Sequence, residues 1–140
     1  KMKNLIIFVL SFLLYASTIH ATVVPVAVKN AFQKKFPNAK KVKWEKEKTN
    51  EYEASFKLDR KEVSVLYLTD GKLIEVEIEI FDTELPKPVV ESLNKKYPNI
   101  KISEVAKIER SDNSIVYEAE LKIGGKKIDL LFDEKGNVLN

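Results

Sequence analysis

Residues 25–40 read PVAVKNAFQKKFPNAK and residues 86–101 read PKPVVESLNKKYPNIK, so the chain contains one pattern twice. A second block starts with the tripeptide YEA at 52–54 and runs to Gly71. Its counterpart starts with YEA at 117–119 and runs to Gly136. A duplication of this kind predicts a scaffold built from two repeats, and it favours a non-catalytic module over an enzyme with a single active site.

Each repeat is predicted to begin with an amphipathic helix. Apolar residues recur on one helical face in both copies. They are Val24, Val28, Phe32 and Phe36 in the first copy and Val89, Val90, Leu93 and Tyr97 in the second. Pro25 and Pro86 suit the first helical turn, and Pro37 and Pro98 end the helices because a residue before proline avoids the helical conformation.

The rest of each repeat alternates apolar and polar residues, which is typical of strands with one buried face. The cleanest run places Glu75, Glu77 and Glu79 between isoleucine and valine residues. We therefore predict an α+β fold of two tandem repeats, each an N-terminal helix packed on an antiparallel sheet of about three to four strands. Repeat 1 would span 22–82 and repeat 2 would span 83–140. The joint lacks a Gly/Ser-rich linker, so we expect the copies to pack together. The sequence leaves open whether they share one continuous sheet.

Residues 1–21 have the layout of a signal peptide. Lys1 and Lys3 precede an apolar run at 5–15, and cleavage after Ala21 is possible. The run is shorter than the roughly 20 residues of a membrane span. We therefore expect a cleaved signal and a periplasmic or secreted protein without contact to the membrane. An uncleaved N-terminal anchor is the alternative, and no cysteine is present for lipidation.

The residue types exclude several kinds of chemistry. His20, inside the predicted signal peptide, is the only histidine, and there is no cysteine. These absences exclude catalysis by His or Cys, zinc sites of the usual ligands, and disulfides. The 24 basic and 21 acidic residues nearly balance, which gives no support to nucleic-acid binding. We expect no catalytic residues, no cofactor and no metal.

From Val24 to Phe56 the pattern Val-Pro … Ala-Phe-x-x-Lys-Phe-Pro-x-Ala-x-x-Val-x-Trp … Tyr-Glu-Ala-x-Phe resembles the PepSY-like secreted proteins of Bacteroidetes, which are similar in fold to β-lactamase-inhibitor protein. The resemblance extends over the second copy. It implies a helix-plus-antiparallel-sheet repeat in the periplasm or outside the cell, and it implies no particular activity. Two positions depart from the family pattern: 59–61 reads Asp-Arg-Lys where the family tends to have Asp-Gly-Lys, and 105–106 reads Val-Ala near the expected second tryptophan.

Three features are candidates for a function. Trp44 is either an anchor for a protein partner or a core residue, and core packing is favoured because large aromatic side chains are mostly buried. Glu53 and Glu118 could form a carboxylate pair of the glycosidase kind, but a solvated strand face is the better interpretation. The stripe of Glu75, Glu77 and Glu79 favours cross-strand pairing with lysine or an acidic docking surface over a calcium site, which needs a compact loop.

These observations predict a secreted, non-catalytic binding module that uses the exposed sheet face opposite the helices. The candidate partner-binding surface comprises Trp44, Lys43, Glu53, Glu75, Glu77 and Glu79. The expected partner is a protein of the cell envelope, and an inhibitor of an envelope enzyme is the sharper version of this hypothesis. A structural or envelope-maintenance protein is the alternative, and a carboxylate-dependent hydrolase is the least favoured. The sequence leaves the oligomeric state open.

Overall fold

Two α-helices and one eight-stranded antiparallel sheet make up residues 22–139, which are the residues described by this computed structural model. The predicted signal peptide at 1–21 lies outside the described residues. The elements in chain order are α1 (Val26–Lys35), β1 (Lys43–Lys48), β2 (Glu51–Leu58), β3 (Lys61–Leu68), β4 (Leu73–Glu79), a short 3-10 helix (Asp82–Glu84), α2 (Lys87–Lys96), β5 (Ile102–Arg110), β6 (Ile115–Ile123), β7 (Lys126–Asp133) and β8 (Val138–Leu139). The predicted α+β class is confirmed. In the described part of the chain, no helix combines the length and the apolar character that a membrane crossing requires.

The sheet is continuous from β1 to β8, with every strand beside its neighbour in sequence. The sequence left open whether the two repeats share one sheet, and the structure shows a single sheet of eight strands in which each repeat was expected to supply about three to four. The two sets of strands join because β4 pairs with β5, in a register from Glu75 opposite Arg110 to Glu79 opposite Ala106. The short 3-10 helix and α2 bridge these two strands along the chain, which lets β5 return antiparallel beside β4.

Both helices pack on the same side of this sheet. Val28 and Phe32 of α1 belong to a cluster with Ala54 and Phe56 of β2. Val89 and Leu93 of α2 belong to a second cluster with residues of β5, β6 and β7. The sheet register places Phe56, Tyr117 and Phe132 in one row across the strands, so the two clusters lie on one face.

Val90 was expected on the buried stripe of α2, but it is 36% exposed. Successive helical residues are about 100° apart, so one stripe cannot contain both Val89 and Val90. Val89 and Leu93, one turn apart, form the buried stripe.

Two equivalent glycines hold the hairpins of the sheet against the helices. Gly71, at φ +86°, approaches α1 so closely that a Cβ there would lie 2.7 Å from the carbonyl oxygen of Ala27. Gly136, at φ +80°, approaches α2 in the same way, and a Cβ there would overlap the carbonyl oxygen of Pro88. Both the left-handed backbone and the close approach require glycine. The recurrence of this residue in the sequence repeat thus has a packing cause.

The β2–β3 turn has the same left-handed backbone as its counterpart without a glycine. Asp59 and Arg60 have φ values of 50° and 71°, and Gly124 and Gly125 have φ values of 57° and 81°. Positive φ at both central residues is the geometry of a type I′ hairpin turn. The sequence Asp-Arg-Lys, which departs from the family pattern, therefore gives this turn more backbone strain, because neither central residue is glycine.

We predict that Gly71→Ala and Gly136→Ala destabilise the fold by about 2–5 kcal/mol each, which combines the cost of positive φ with the cost of overpacking. Gly125→Ala is the matched control, since its φ is also positive (+81°) but nothing lies within 4 Å of the added carbon. It should cost only about 1–2 kcal/mol. Urea unfolding followed by the fluorescence of Trp44, the single tryptophan, measures all three. Equal losses would contradict the packing argument.

We predict that Arg60→Gly stabilises the protein by about 0.5–1 kcal/mol, because the strain of a non-glycine residue in the left-handed region exceeds the extra entropy of glycine in the unfolded chain. Arg60→Ala removes the same side chain but keeps the strain, so it should give no such gain. The urea midpoints of the wild type, Arg60→Gly and Arg60→Ala measure these differences in stability. An Ala variant as stable as the Gly variant would show that the side chain, and not the backbone, is the cause.

Candidate functional site

The side of the sheet opposite α1 and α2, here called the helix-free face, carries the side chains that alternate with the core residues. Glu53 lies on it because Tyr52 and Ala54 are in the core beneath α1. Glu118 lies on it because Tyr117 and Ala119 are in the core beneath α2. Within residues 22–139, neither helix contributes buried residues to this face.

The structure separates the six residues of the predicted surface. The register and the strand alternation place five of them on the helix-free face: Lys43, Glu53, Glu75, Glu77 and Glu79. Trp44 lies on the other side of the sheet, half-buried against the core, with its ring edge-on to Phe32 at 5.2 Å between centroids. Trp44 therefore takes part in the packing of α1.

A strip of buried apolar side chains lies on the helix-free face and was missed by the sequence reasoning, and Leu66 on β3 stands apart from it, across Glu75 and Glu77 of β4. Leu66, Ile108 and Leu131 are each 4% exposed, and Val116 is 2% exposed. Ile108, Val116 and Leu131 form one cluster with Leu139. A signal for this strip exists in the sequence, because Leu66-Tyr67, Val116-Tyr117 and Leu131-Phe132 are adjacent apolar pairs. Such pairs interrupt the alternation of apolar and polar residues that is typical of a strand with one solvent-exposed face.

Four carboxylates surround a small cleft beside this strip. Glu77 comes from β4, Glu104 from β5, and Glu118 and Glu120 from β6. The cleft has a volume of about 10 Å³ and its floor includes Ala106, which is enough for one water-sized group. We call these four glutamates with Ala106 the carboxylate pocket.

Glu118 is the most unusual member of the carboxylate pocket. It is 7% exposed, and its Oε2 atom has no hydrogen-bond partner. The expectation that Glu118 belongs to a solvated strand face is therefore wrong. Residues on β5, β6 and β7 shield it, although no helix lies over them. Glu120 is also 7% exposed, but its Oε2 accepts a hydrogen bond of 2.9 Å from the Nζ atom of Lys127.

The electrostatics of the site follow from burial and from like charges. Burial raises the pKa of Glu77 to about 8, and the charge of Glu118 adds to the shift. Burial likewise raises the pKa of Glu118 to about 8, and Asp129 and Glu104 add to it. The pKa of Glu75 is raised by burial too, but Arg110, with its Nε atom 3.5 Å from the carboxylate, opposes that shift.

The equivalent glutamates Glu53 and Glu118 have different surroundings. The hydroxyl of Ser55 donates to Glu53 over 3.1 Å, and hydrogen bonds from Ser55 and Ser64 oppose the rise that burial gives to the pKa of Glu53. The positions equivalent to these two serines hold Glu120 and Asp129. Both of these residues raise the pKa of Glu118. Two donors in the first repeat are thus replaced by two carboxylates in the second.

This arrangement favours the binding of a positive charge. Where Glu77 and Glu118 keep their protons, each carboxyl can donate a hydrogen bond, and where they lose them the pocket attracts cations. Among residues 22–139, no group of three or more acidic side chains is placed to hold a metal ion. Cross-strand lysine pairing was one expectation for the stripe, but the ion pair formed by Glu75 is with Arg110.

Comparisons with known proteins confirm the resemblance found in the sequence. The family model described as "Putative beta-lactamase-inhibitor-like, PepSY-like" matches residues 15–75 and 67–140. The chain is similar to the crystal structure of a BLIP-like protein from Bacteroides fragilis, with 28% identity, 86% of each chain covered and a TM-score of 0.70. A search of curated proteins finds no match.

Two further solved structures share the fold. A protein from Bacteroides eggerthii, described as putatively periplasmic, has 19% identity and a TM-score of 0.77 over 85% of this chain and 88% of its own. A DUF2874 family protein from Bacteroides uniformis has 18% identity and a TM-score of 0.74 over 83% and 86%. At these identities the similarity shows the fold alone.

We predict that thermal stability falls as the pH rises from 5 to 8. Glutamates of the unfolded chain ionise near the ordinary pKa of 4.5, whereas folded Glu77 and Glu118 retain their protons up to about pH 8. The folded state then binds more protons than the unfolded state, so raising the pH favours unfolding across this window. Asp112 and Asp133, whose pKa values are lowered from 3.8, titrate below it.

Thermal melts at pH 5, 6, 7 and 8 measure this effect. Glu118→Gln should flatten the pH dependence and raise the Tm at pH 8. Glu91→Gln, at an exposed position of α2, should leave the wild-type slope unchanged. A wild-type Tm that rises between pH 5 and pH 8 would contradict the burial of these carboxyls in protonated form.

Proposed function

The chain belongs to the PepSY-like family, and on that premise we propose that it is a non-catalytic binding module whose helix-free face docks on a protein of the cell envelope. The observation that carries this proposal is the group of carboxylates on a face that neither helix covers: Glu77, Glu104, Glu118 and Glu120 line one small cleft there, and Oε2 of Glu118 has no hydrogen-bond partner. A face with one sign of charge suits a partner of complementary charge.

A non-catalytic role is supported by the side chains that the site offers. Residues 22–139 contain no histidine and no cysteine. The described acidic side chains form no metal cluster, and the carboxylate pocket is too small for a sugar or peptide substrate, at about 10 Å³. The face therefore suits recognition better than turnover.

We further propose that the protein acts in the periplasm or outside the cell. The predicted signal peptide supports this location, and the structurally similar protein from Bacteroides eggerthii is itself described as a "putative periplasmic" protein. A binding partner would then be a protein exposed in the same compartment.

The two halves are, in this proposal, copies of one unit of a helix followed by four strands. The order α1 with β1–β4 and then α2 with β5–β8 supports it. So does the equivalent docking of Gly71 against α1 and Gly136 against α2. The docking face would then extend across both copies, since their strands share one sheet.

Inhibition of an enzyme is the sharper form of this proposal. It is favoured by the similarity to the protein from Bacteroides fragilis, which is described as BLIP-like. The purified chain can be added to a panel of β-lactamases while the rate of nitrocefin hydrolysis is measured. If the rate is unchanged with every enzyme of the panel, the proposal that the chain inhibits β-lactamases is wrong. The more general binding proposal is tested separately, by the capture experiment that follows.

The test of the binding proposal is a capture experiment with matched charge reversals. We expect the double variant Glu53→Lys/Glu79→Lys, on the helix-free face, to bind its partner at least tenfold more weakly than the wild type. The control is Glu91→Lys/Glu134→Lys, which makes the same charge change at exposed positions off that face and should bind like the wild type. Both variants are checked for folding by circular dichroism.

The partner is captured from an envelope extract, identified, purified and titrated against all three proteins. Equal affinity for the three would show that the helix-free face is not the docking surface. A partner lost only by the control variant would place the interface on the helix side instead.

A further inference from the structure

We propose that the carboxylate pocket seats the charged end of a lysine or arginine side chain supplied by the partner protein. This inference rests on the proposed function, and it names the chemistry of the contact at the centre of the docking face. The partner would therefore present a basic residue, on an exposed segment, to the junction of β4, β5 and β6.

The pocket contains a hydrogen-bond acceptor without a partner. Glu118 is 93% buried, and its Oε2 has no hydrogen-bond partner. A buried acceptor without a partner costs free energy, which a donor from outside can recover. Lysine and arginine are the donors that offer N–H groups together with the complementary charge.

Negative charges outnumber positive charges around the pocket. Within residues 22–139, Lys127 forms an ion pair with Glu120 at 2.9 Å, whereas Glu77, Glu104 and Glu118 form none. Asp129 adds a further carboxylate, which stands opposite Glu120 on β7. Glu104 and Glu120 also stand directly opposite each other on β5 and β6, and like charges in that relation are destabilising. A bound cation would relieve this repulsion.

The size of the pocket suits a single cationic group. The pocket accommodates one water-sized group, about 10 Å³, which fits an ammonium or one end of a guanidinium. Ala106, which lines the pocket, gives an apolar contact for the methylene stem of such a side chain. A metal ion fits less well, because the described carboxylates do not converge as metal ligands.

The second repeat has an unsatisfied glutamate at this position, and the first repeat does not. Ser55 and Ser64 donate to Glu53, and their counterparts Glu120 and Asp129 cannot donate to Glu118 when they are ionised. The scaffold thus permits a satisfied glutamate at this position. The unsatisfied one results from the particular residues of β6 and β7.

The test is a titration of the isotopically labelled protein with a short probe, followed by the backbone amide shifts. The probe is an acetylated and amidated pentapeptide with one central lysine between alanine and glycine residues. We expect saturable shifts at the amides of β4, β5 and β6 around Glu77 and Glu118. The same peptide with acetyl-lysine, which has no charge, should cause none there.

Three variants locate the binding. Glu118→Gln should weaken the lysine peptide at least fivefold, and Glu91→Gln should stay within twofold of the wild type. The third, Glu120→Ser/Asp129→Ser, installs the hydroxyl donors of the first repeat and should also weaken binding at least fivefold. It keeps the inference testable if Glu118→Gln folds poorly. Undiminished binding by both folded pocket variants, or equal shifts from the acetyl-lysine peptide, would overturn the inference.

Two further titrations separate the sources of positive charge. If calcium chloride or n-butylamine shifts the same amides and binds more tightly than the lysine peptide, the pocket is a site for a free cation and not for a partner side chain. That result would overturn the inference. Affinity for the peptide should rise between pH 6 and pH 8.5, because Glu77 and Glu118 must lose their protons before they attract a cation. The other ionisable groups around them are the carboxylates of Glu104, Glu120 and Asp129 and the ammonium group of Lys127. An affinity that falls over this range would contradict it.

Two outcomes distinguish a failure of the pocket inference from a failure of the proposed function. If the captured partner is lost by Glu53→Lys/Glu79→Lys but binds Glu118→Gln as well as it binds the wild type, the docking face stands and the pocket is not its contact. If the peptide binds as expected but the face variants capture the partner normally, the pocket stands and the docking proposal fails.

Discussion

The hydrogen-bonded ladder between β4 and β5 is the constraint on which the rest of the structure depends. It runs from Glu75 opposite Arg110 to Glu79 opposite Ala106. Without it, each half would be a small sheet with two exposed edges, and such edges are prone to pairing with other chains. With it, β4 and β5 become interior strands, and side chains far apart in sequence meet across the centre of one sheet. Glu77 and Glu118 influence each other only because this ladder and the β5–β6 ladder place them on neighbouring rows.

The ladder also gives the two sides of the sheet different characters. On the helix side, α1 and α2 each cover their own cluster, and the strip between them is polar, with Lys107 and Glu109 paired at 2.8 Å. On the helix-free face, Ile108, Val116 and Leu131 form a small buried cluster, and the neighbouring strand β4 carries Glu75, Glu77 and Glu79. This face therefore combines buried apolar side chains with carboxylates, although no helix covers it.

Local patterns in the sequence were sufficient for the elements and insufficient for their assembly. The helical spacing of Val28 and Phe32 and the alternation around Glu77 depend on residues within one element, so both could be predicted. The single sheet could not, because alternation determines which way a side chain points but not which strand lies beside it. The burial of Glu118 was missed for the same reason. Its environment is made by Glu104, Glu120 and Asp129, and two of these lie on other strands. Trp44 was favoured as a core residue and also retained in the candidate surface, and it lies half-buried against the core with its ring on Phe32.

The duplication explains the scaffold, and the differences between the copies explain the site. Glu53 and Glu118 occupy the same position of the same motif. Glu53 accepts a hydrogen bond from Ser55, whereas the buried Oε2 atom of Glu118 has no hydrogen-bond partner. Two causes act together. β2 lies next to the edge strand β1, whereas β6 lies between β5 and β7 beside the centre of the sheet. The serines around Glu53 are also replaced by acidic residues around Glu118. Position in the sheet thus supplies the burial and the substitutions supply the charge. A carboxylate becomes an attractive contact for a cation only where both conditions meet, and in the described chain they meet most fully at Glu118.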